Sequence, residues 1–266
     1  MSYSRNTWTT GEVVTAAKLN NMESGILTAN TNISLLHRNI YRGQSLGTAF
    51  TTAQASAISA GTFDNMYIGD YWTIGSVTWR IADFDYWYNT GDTNCTTHHI
   101  VIVPDESLVS GRMNSSNDTT TGYTNSEFRL TSTENTARTT AISKATSAFT
   151  LSGTSHILSH RQIFSTASSG GASSAWAWTD ETVELMNEVM VYGAHAWSAK
   201  HGYDVGSEKT QLALFALNPS KINTRYTYWL RDVASATSFA YVGNNGLADR
   251  YYASGSLGIR PAFAVK

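Results

Sequence analysis

A repeating pattern of apolar residues marks the N-terminal part of the chain. Apolar residues at alternating spacings of three and four form a heptad seam: Leu19, Met22, Ile26, Ala29, Ile33, Leu36 and Ile40. The positions between them are mainly Asn, Thr, Ser and Glu, so this helix presents one apolar stripe and no broad core face. The pattern predicts a helix that packs on its own domain or pairs with copies of itself. The polar surroundings favour self-association.

Beyond residue 61 the pattern changes to alternating and continuous apolar runs, which are typical of strands. The segment "YWTIGSVTWRI" places Gly75 and Ser76 between two alternating runs, which predicts a β-hairpin. The run "HHIVIVP" predicts a buried strand that ends at Pro104. "LALFAL" predicts another buried strand, and "RYTYWLR" is predicted to lead into the terminal segment.

One helix is predicted within the C-terminal half, from Asp180 to Tyr192. Asp180 is suited to cap its N-terminus, and Glu181 and Glu184 favour the positive end of the helix dipole. Gly193 is placed to end it.

The order of short strands, intervening helices and long polar loops predicts an α+β fold. Gly43 to Gly61 is expected to be a connection with one short helical turn. We therefore divide the chain into residues 1–42, an N-terminal segment with an oligomerising helix, and residues 43–266, one large domain.

Composition and charge narrow the function classes. Charged residues make up 14% of the chain and the formal net charge is −2, with no acidic or basic block, so neither nucleic acid nor anionic lipid is an expected partner. Cys95 is the only cysteine, which excludes an intrachain disulfide and a cysteine-rich zinc site. No segment is apolar over the length of a signal peptide or a membrane span, so we expect synthesis in the cytoplasm without membrane insertion.

The sequence lacks the motifs of easily recognised enzymes and metal sites. It has no Gly-x-Ser-x-Gly elbow, phosphate-binding glycine loop, His-Glu-x-x-His motif or EF-hand loop. His98 and His99 are adjacent, and neighbouring side chains on a strand point to opposite faces, so they are not expected to share a metal. We expect no cofactor and no catalytic residue.

Two pairs of carboxylates have alternative interpretations. Asp83 and Asp85 share a strand face, which is compatible with calcium binding but is more often a hydrogen-bonded edge. Glu184 and Glu188 are predicted to lie one helical turn apart on a solvated face, whereas a catalytic pair normally flanks a cleft. A glycosidase pair assembled from distant segments stays open.

The N-terminal sequence "WTTGEVVTAAKLNNMESGI" resembles the opening of many phage tail-fibre and baseplate proteins. In those proteins a Trp-x-x-Gly-Glu segment leads into a Leu-Asn-x-x-Glu helix. The resemblance implies attachment to other phage tail proteins, assembly as a homotrimer, and a place at the virion tail tip or baseplate.

Beyond residue 61 the motifs "GTFDNMYIGDYW", "WRIADFDYW", "HHIVIVPDESL", "WLRDV" and "GIRPAF" resemble phage C-type-lectin-like domains. These domains are related to the variable proteins of diversity-generating retroelements and share their general fold with formylglycine-generating enzymes. The resemblance implies that the closing motif, Gly258 to Phe263, locks the last strand into the core. It also implies that the preceding segment, which begins at Trp229-Leu230-Arg231, displays ligand-contacting side chains.

The composition of that segment agrees with the resemblance. In this family mutagenesis acts on adenines, and Asn codons altered in this way never yield Lys, Glu, Gln, Met or Trp. The chain contains 33 residues of these five types, yet Arg231 to Gly258 contains none. Chance would leave roughly three there. The segment is instead rich in Tyr, Ser, Gly and Asn, as antibody paratopes are.

These features predict a non-enzymatic phage tail-tip protein that binds a protein or glycan receptor on the bacterial surface. The predicted ligand-contacting residues are Phe239, Tyr241, Gly243, Asn244, Leu247, Asp249, Arg250, Tyr251 and Tyr252, with Asp232, Gly255 and Leu257 as a second group. The lone cysteine disfavours catalysis of the two-thiol kind, and the calcium-lectin motifs Glu-Pro-Asn and Gln-Pro-Asp are absent. The alternatives are a tail-associated polysaccharide-degrading enzyme, a structural baseplate component, and a solvated loop without a ligand.

Overall fold

A computed structural model of the protein describes residues 6–130, 133–198 and 210–266. Within these ranges the α-helices are α1 (Ala16–Ser34), α2 (Thr52–Ser59), α3 (Ala137–Ala148), α4 (Glu188–Tyr192) and α5 (Ala213–Leu217). The strands are β1 (Ser45–Gly47), β2 (Tyr71–Ile74), β3 (Val77–Phe84), β4 (Ile100–Pro104), β5 (Val109–Gly111), β6 (Thr150–Leu151), β7 (Thr154–Ser155), β8 (His160–Ser169), β9 (Ala172–Glu181), β10 (Val183–Leu185), β11 (Tyr228–Ser235), β12 (Ser238–Val242), β13 (Ala248–Tyr252), β14 (Leu257–Ile259) and β15 (Pro261–Val265). Among the described residues, no helix is both long enough and apolar enough to cross a bilayer.

The fold is mixed α/β, with more sheet than helix. A six-stranded sheet has the order β1-β2-β3-β4-β15-β10, and a five-stranded sheet has the order β13-β12-β11-β14-β5. The ribbons β6-β7 and β8-β9 lie outside these two sheets. One hydrophobic cluster extends from Phe50 to Val265, so the two sheets share a core.

The C-terminal motif is buried in the core, as the resemblance implies. Strand β15 pairs with β4 on one side and β10 on the other, and Phe263 is fully buried. The Phe263 ring lies 5.6 Å from that of Trp79 and 5.7 Å from that of Phe149, both edge-on. At Gly258 a Cβ atom would lie 2.1 Å from Ser107 Oγ, so no other residue fits there without displacement.

Arg260 connects the two sheets through a buried guanidinium group. Its Nε donates to the Pro104 carbonyl at 2.8 Å, and Nη1 donates to Tyr228 Oη at 3.1 Å and to the Ile222 carbonyl at 3.3 Å. A buried carbonyl without a donor is costly. The arginine of the closing motif therefore satisfies buried carbonyl groups.

The N-terminal helix is shorter than the heptad pattern predicts. Helix α1 ends at Ser34, and a 3-10 turn follows from Leu35 to Arg38. The change occurs beside His37, which is buried with its ring 4.5 Å from that of Phe84. Docking of this histidine on the sheet domain provides the physical reason for the break.

The heptad residues described with their side chains are exposed. Leu19 is 48%, Met22 41%, Ile26 59%, Leu36 44% and Ile40 41% exposed, and Ala29 is exposed as well. The side chain of Ile33 lies outside the described residues. The stripe therefore does not pack on the sheet domain in this conformation.

The predicted helix from Asp180 to Tyr192 is wrong over most of its length. Asp180 lies in β9, and β10 follows it and pairs with the closing strand. Only Glu188–Tyr192 is helical, with Asn187 as its cap: Met190 N donates to Asn187 Oδ1 at 2.7 Å. Pairing with β15 overrides the local helical signals, and Gly193 ends the short helix in the left-handed region at φ 75°.

Two further expectations differ from the structure. "LALFAL" forms α5 instead of a strand, because Asp83 Oδ2 accepts the N–H of Ala213 at 3.0 Å at the start of the helix. The Gly43–Gly61 connection contains strand β1 and the two-turn helix α2, which begins with a capping box between Thr51 and Gln54. The β2–β3 hairpin and the strand that ends at Pro104 are confirmed.

Candidate ligand-binding site

Buried residues hold the start of the Tyr-rich segment. Trp229 is buried in β11, and its indole Nε1 donates to the Gly111 carbonyl at 2.9 Å. Arg231 is also buried, and its Nη1 donates to the Leu185 carbonyl at 2.9 Å. Gly258 fixes the other end beside β5 and β11. The segment is therefore a sheet-bound structure with two fixed ends, and the interpretation as a long solvated loop is wrong.

Within it, β12 and β13 form an antiparallel hairpin, and β13 is the edge strand of the five-stranded sheet. Opposed residues on paired strands lie on the same face. One face carries the pairs Phe239–Tyr251 and Tyr241–Asp249, and the other carries Ser238–Tyr252 and Ala240–Arg250. The edge position leaves side chains on both faces of β13 within reach of a ligand.

Five of the predicted ligand-contacting residues are exposed, and we call them the hairpin surface: Asn244, Leu247, Arg250, Tyr251 and Tyr252. Leu247 is 66%, Tyr251 45% and Tyr252 56% exposed. Tyr241 and Asp249 are half-buried, and the Tyr241 hydroxyl donates to Asp249 Oδ2 at 3.3 Å. Burial and the nearby Asp249 carboxylate raise the pKa of the Tyr241 hydroxyl.

Two predicted contact residues belong to the interior. Phe239 is fully buried, and Ser238, Ala240 and Val242 are buried as well, so both faces of β12 are covered. Gly243 is buried at the turn of the hairpin, where its N–H donates to the Leu247 carbonyl at 2.7 Å. Both residues therefore support the hairpin and do not contact a ligand in this conformation.

The second group of predicted residues also supports the hairpin. Asp232 Oδ2 accepts the Glu188 N–H at 2.6 Å, and Leu257 is half-buried in β14. At Gly255 a Cβ would lie 2.2 Å from the Tyr251 ring, so the missing side chain lets this ring lie against the backbone. The Tyr251 ring is also 6.3 Å from that of Trp229. Tyr251 is thus held in place before any ligand binds.

A concavity of about 430 Å³ opens beside the hairpin surface. It is lined by Ser235, Thr237, Ser238, Arg250, Tyr251 and Tyr252. The Thr237 hydroxyl lies 3.3 Å from that of Ser235 and 3.4 Å from that of Ser238, which forms a row of three hydroxyl groups. Small-molecule sites commonly enclose about 300–1,000 Å³. The concavity has the size and the polarity of a site for a hydroxyl-rich ligand.

Trp197 belongs to this site, although no sequence pattern indicates it. Its indole Nε1 donates to the Ala248 carbonyl at 2.9 Å, and the Arg250 guanidinium lies 5.0 Å from its ring centroid. The ring is 38% exposed. A residue from outside the hairpin therefore extends the surface and orients Arg250.

Glu188 holds the loop that carries Trp197. Its carboxylate is fully buried and accepts the N–H groups of Trp197 at 2.8 Å, Ser198 at 3.0 Å and Ala196 at 3.1 Å. It also accepts the Ser198 hydroxyl at 2.7 Å. The prediction that Glu188 lies on a solvated face is wrong, because these four donors from a distant loop compensate its burial.

Glu184 is buried as well, in a network with two arginines. Its Oε2 accepts the Tyr123 hydroxyl at 2.6 Å, and its Oε1 accepts Arg138 Nε at 2.8 Å. Burial raises the pKa of Glu184, and the charges of Arg129 and Arg138 oppose that increase. The carboxylate faces arginines and not a cleft, so Glu184 and Glu188 are not arranged as an acid–base pair across the concavity.

The remaining candidate metal ligands have structural contacts. Asp85 Oδ2 accepts Arg38 Nη2 at 2.8 Å and lies 2.9 Å from His98 Nδ1, whereas His99 is buried and its Nε2 accepts the Trp87 N–H at 3.1 Å. Asp83 accepts backbone N–H groups instead of a cation. Over residues 6–130, 133–198 and 210–266 no three of the His, Cys, Asp and Glu side chains converge on a metal position.

His160 makes the stability depend on pH. It is buried, and the centroid of its ring lies 4.1 Å from that of Trp87. Its Nε2 accepts a hydrogen bond from Gln162 Nε2 at 3.0 Å. Burial, with a smaller contribution from His99, lowers the pKa of His160 to about 3. The unfolded chain, with a His pKa near 6.5, binds this proton first as the pH falls. The stabilising contribution of neutral His160 is therefore complete above about pH 6.5 and decreases towards pH 3.

Between pH 7 and about pH 4.5, the free energy of unfolding of the wild-type protein should decrease by about 2–3 kcal/mol more than that of His160→Gln. Burial raises the pKa of Asp83 to about 6, so protonation of Asp83 stabilises the fold as the pH falls. This contribution is the same in both proteins and cancels in the difference. Urea titrations at both pH values measure the effect. Equal losses in the two proteins would show that His160 is not the responsible group.

The fold and the site define a mixed α/β domain, mostly sheet, that presents an aromatic and hydroxyl-bearing surface on an edge hairpin. Residues 101–266 match the family described as a domain of unknown function, DUF6273, and the chain belongs to this family. The matched range begins in β4 and contains every residue of the hairpin surface. No curated protein and no solved structure matches the chain.

Proposed function

We propose that the protein is a phage tail-tip receptor-binding protein that presents the hairpin surface to a receptor on the bacterial host. The observation that carries this proposal is the contrast within one short segment. Arg250, Tyr251 and Tyr252 are exposed, while Trp229 and Ile259 on either side are fully buried. A rigid frame around exposed tyrosines is typical of recognition surfaces, where Tyr supplies contact area at low entropic cost.

We further propose that residues 43–266 form a C-type-lectin-like domain, related to the variable proteins of diversity-generating retroelements. The burial of β15 between β4 and β10, the bonds of Arg260 to Pro104 and Ile222, and the hairpin that precedes the closing motif support this assignment. Residues 1–42 would attach the domain to other tail proteins. Both assignments follow from the resemblance of the sequence motifs to these protein families.

Binding is favoured over polysaccharide cleavage by the charges around the concavity. The described residues that line it include no carboxylate, whereas glycosidases place two carboxyl groups about the scissile bond. The test incubates purified protein with host cells and measures both the bound protein and the reducing ends released from the cell surface. Binding without release supports the proposal, and catalytic release of sugars supports the enzyme. Absence of both would favour a structural baseplate component.

The proposal includes self-association through α1, with a homotrimer as the expected assembly. The exposed stripe contains Leu19, Met22 and Ile26, and a partner helix would remove these side chains from water. A carboxylate in the seam would be buried without a partner, so the double substitution Met22→Asp and Ile26→Asp should give folded monomers. Light scattering at micromolar concentration measures the mass, and circular dichroism confirms folding.

The control for this prediction is Val13→Asp together with Leu27→Asp, at exposed apolar residues outside the heptad positions. This variant should keep the wild-type mass. A monomeric wild-type chain would contradict self-association, whereas a dimer would contradict only the trimer.

A further inference from the structure

Among the described residues, the Arg250 guanidinium has no acidic partner. It lies over the Trp197 ring and forms no ion pair with any residue of the described ranges. The neighbouring Asp249 points to the opposite face of the strand, where it accepts the Tyr241 hydroxyl and the backbone N–H of Arg250 at 2.7 Å. Stacking on an aromatic ring leaves the donors of an arginine free to bind an anion.

The same concavity offers neutral donors and acceptors beside this charge. Ser235, Thr237 and Ser238 are part of its lining, and each of their hydroxyls can both donate and accept a hydrogen bond. The Tyr252 ring lies opposite Ser238 and is 56% exposed. The site therefore combines a cation, a row of hydroxyls and an exposed aromatic ring.

We propose that the concavity binds a carboxylate-bearing saccharide without calcium. This inference rests on the proposed receptor-binding function and specifies the ligand. A sugar carboxylate accepts two parallel hydrogen bonds from the Arg250 guanidinium, while sugar hydroxyls bind the Ser and Thr hydroxyls. The C–H face of a sugar ring packs on the aromatic ring of Tyr252.

The lining favours a saccharide over a protein ligand. Protein interfaces depend on a few anchor residues that fill desolvated pockets. Among the described residues, hydroxyl-bearing side chains predominate in the lining of this concavity and no aliphatic side chain contributes to it. The pocket beside Arg231 and Asp232 has a volume of about 40 Å³, which suits a few water molecules and not a side-chain anchor. A neutral sugar would leave the charge of Arg250 without a counterpart.

The experiment measures binding of the full chain to oligosaccharides of polygalacturonate, alginate and hyaluronan, each beside its carboxyl-reduced form. Calorimetry at about 50 mM salt limits the screening of charges. We expect at least one acidic oligosaccharide to bind about tenfold more tightly than its reduced form, a difference of about 1.4 kcal/mol. EDTA should leave this binding unchanged.

Arg250→Gln should remove the preference for the acidic form and leave the weak binding of the reduced form unchanged. Arg161→Gln is the matched control, because it removes the same charge from β8 and breaks only surface ion pairs, with Asp92 and Asp180. It should keep the preference. Melting temperatures of both variants establish that they are folded.

The ligand class is overturned if no acidic oligosaccharide binds, if acidic and reduced forms bind equally, or if Arg250→Gln keeps the preference. Loss of the preference in both arginine variants would indicate non-specific attraction and also overturn it. If the protein adsorbs to host cells through Tyr251 and Tyr252 while binding none of these sugars, the proposed function stands with a receptor of another class, such as a protein.

Discussion

Arg260→Ala should lower the free energy of unfolding by about 3–5 kcal/mol. The substitution leaves the Pro104 carbonyl without the donor that Arg260 Nε supplies, while the Ile222 carbonyl keeps the Tyr228 hydroxyl as a donor at 2.9 Å. An unpaired buried polar group costs about 1–3 kcal/mol, and removal of a large buried side chain adds a cavity. The guanidinium also packs 5.4 Å from the Phe215 ring, a contact that would be lost as well.

Phe263→Ala should have an effect of similar size through a different cause. Phe263 fills the space between Trp79 and Phe149, and truncation of a buried phenylalanine costs about 3–5 kcal/mol. Phe263→Leu should cost less because it fills part of the cavity. Lys266→Ala is the control, since this exposed residue should change stability by no more than about 0.5 kcal/mol.

Urea unfolding measures these free energies, and the slope with denaturant shows whether the compactness of either state has changed. Arg260→Lys separates charge from geometry, because an ammonium group cannot reach all three acceptors as the planar guanidinium does. The free energy of unfolding of Arg260→Lys should lie between those of the wild type and Arg260→Ala. A cost below about 1 kcal/mol for Arg260→Ala would contradict its role as the connection between the sheets.

The sequence correctly predicted the elements whose structure depends on residues close in the sequence. The β2–β3 hairpin follows from alternation on both sides of Gly75, which has the positive φ of 63° that such a turn requires. The end of β4 follows from Pro104, which has no N–H for the ladder. The closing motif is identified by a resemblance, and the burial of its arginine and phenylalanine agrees with a motif that locks the last strand into the core.

The elements that sequence analysis misjudged are decided by distant partners. Glu184 favours the start of a helix in isolation, but in the fold it pairs with Arg138, forty-six residues away. "LALFAL" is helical because Asp83 accepts the first N–H group of α5. Short apolar runs suit either a strand or a buried helix, so no local pattern identifies these partners.

In the candidate site, too, some features follow from neighbouring residues and others depend on distant partners. The exposure of Tyr251 and Tyr252 agrees with a displayed segment, but the burial of Phe239 depends on the layer that covers β12. Trp197 was missed because it reaches Ala248 from a loop fifty-one residues away. That loop is positioned by Glu188, whose burial no local pattern indicates.

Tyr251→Ala combined with Tyr252→Ala should reduce adsorption to host cells by at least about thirtyfold. Loss of one aromatic anchor at an interface costs about 2 kcal/mol or more, which corresponds to this factor. The rings lie 6.2 Å apart, so their contributions are coupled and need not add. Stability should change little: Tyr252 is exposed, and Tyr251 loses mainly its contacts with Trp229 and Gly255.

Tyr226→Ala provides the matched control for this double variant. Tyr226 is 69% exposed and lies before β11, outside the hairpin surface, and the hydrogen bonds of its segment with Thr224 use only the Tyr226 backbone. The control should adsorb as wild type does. Melting curves and bound protein per cell are measured on the same preparations, so a binding loss is separated from unfolding. Wild-type adsorption by the double variant would exclude the hairpin surface as the receptor-binding site, and so would a loss accompanied by a comparable fall in stability.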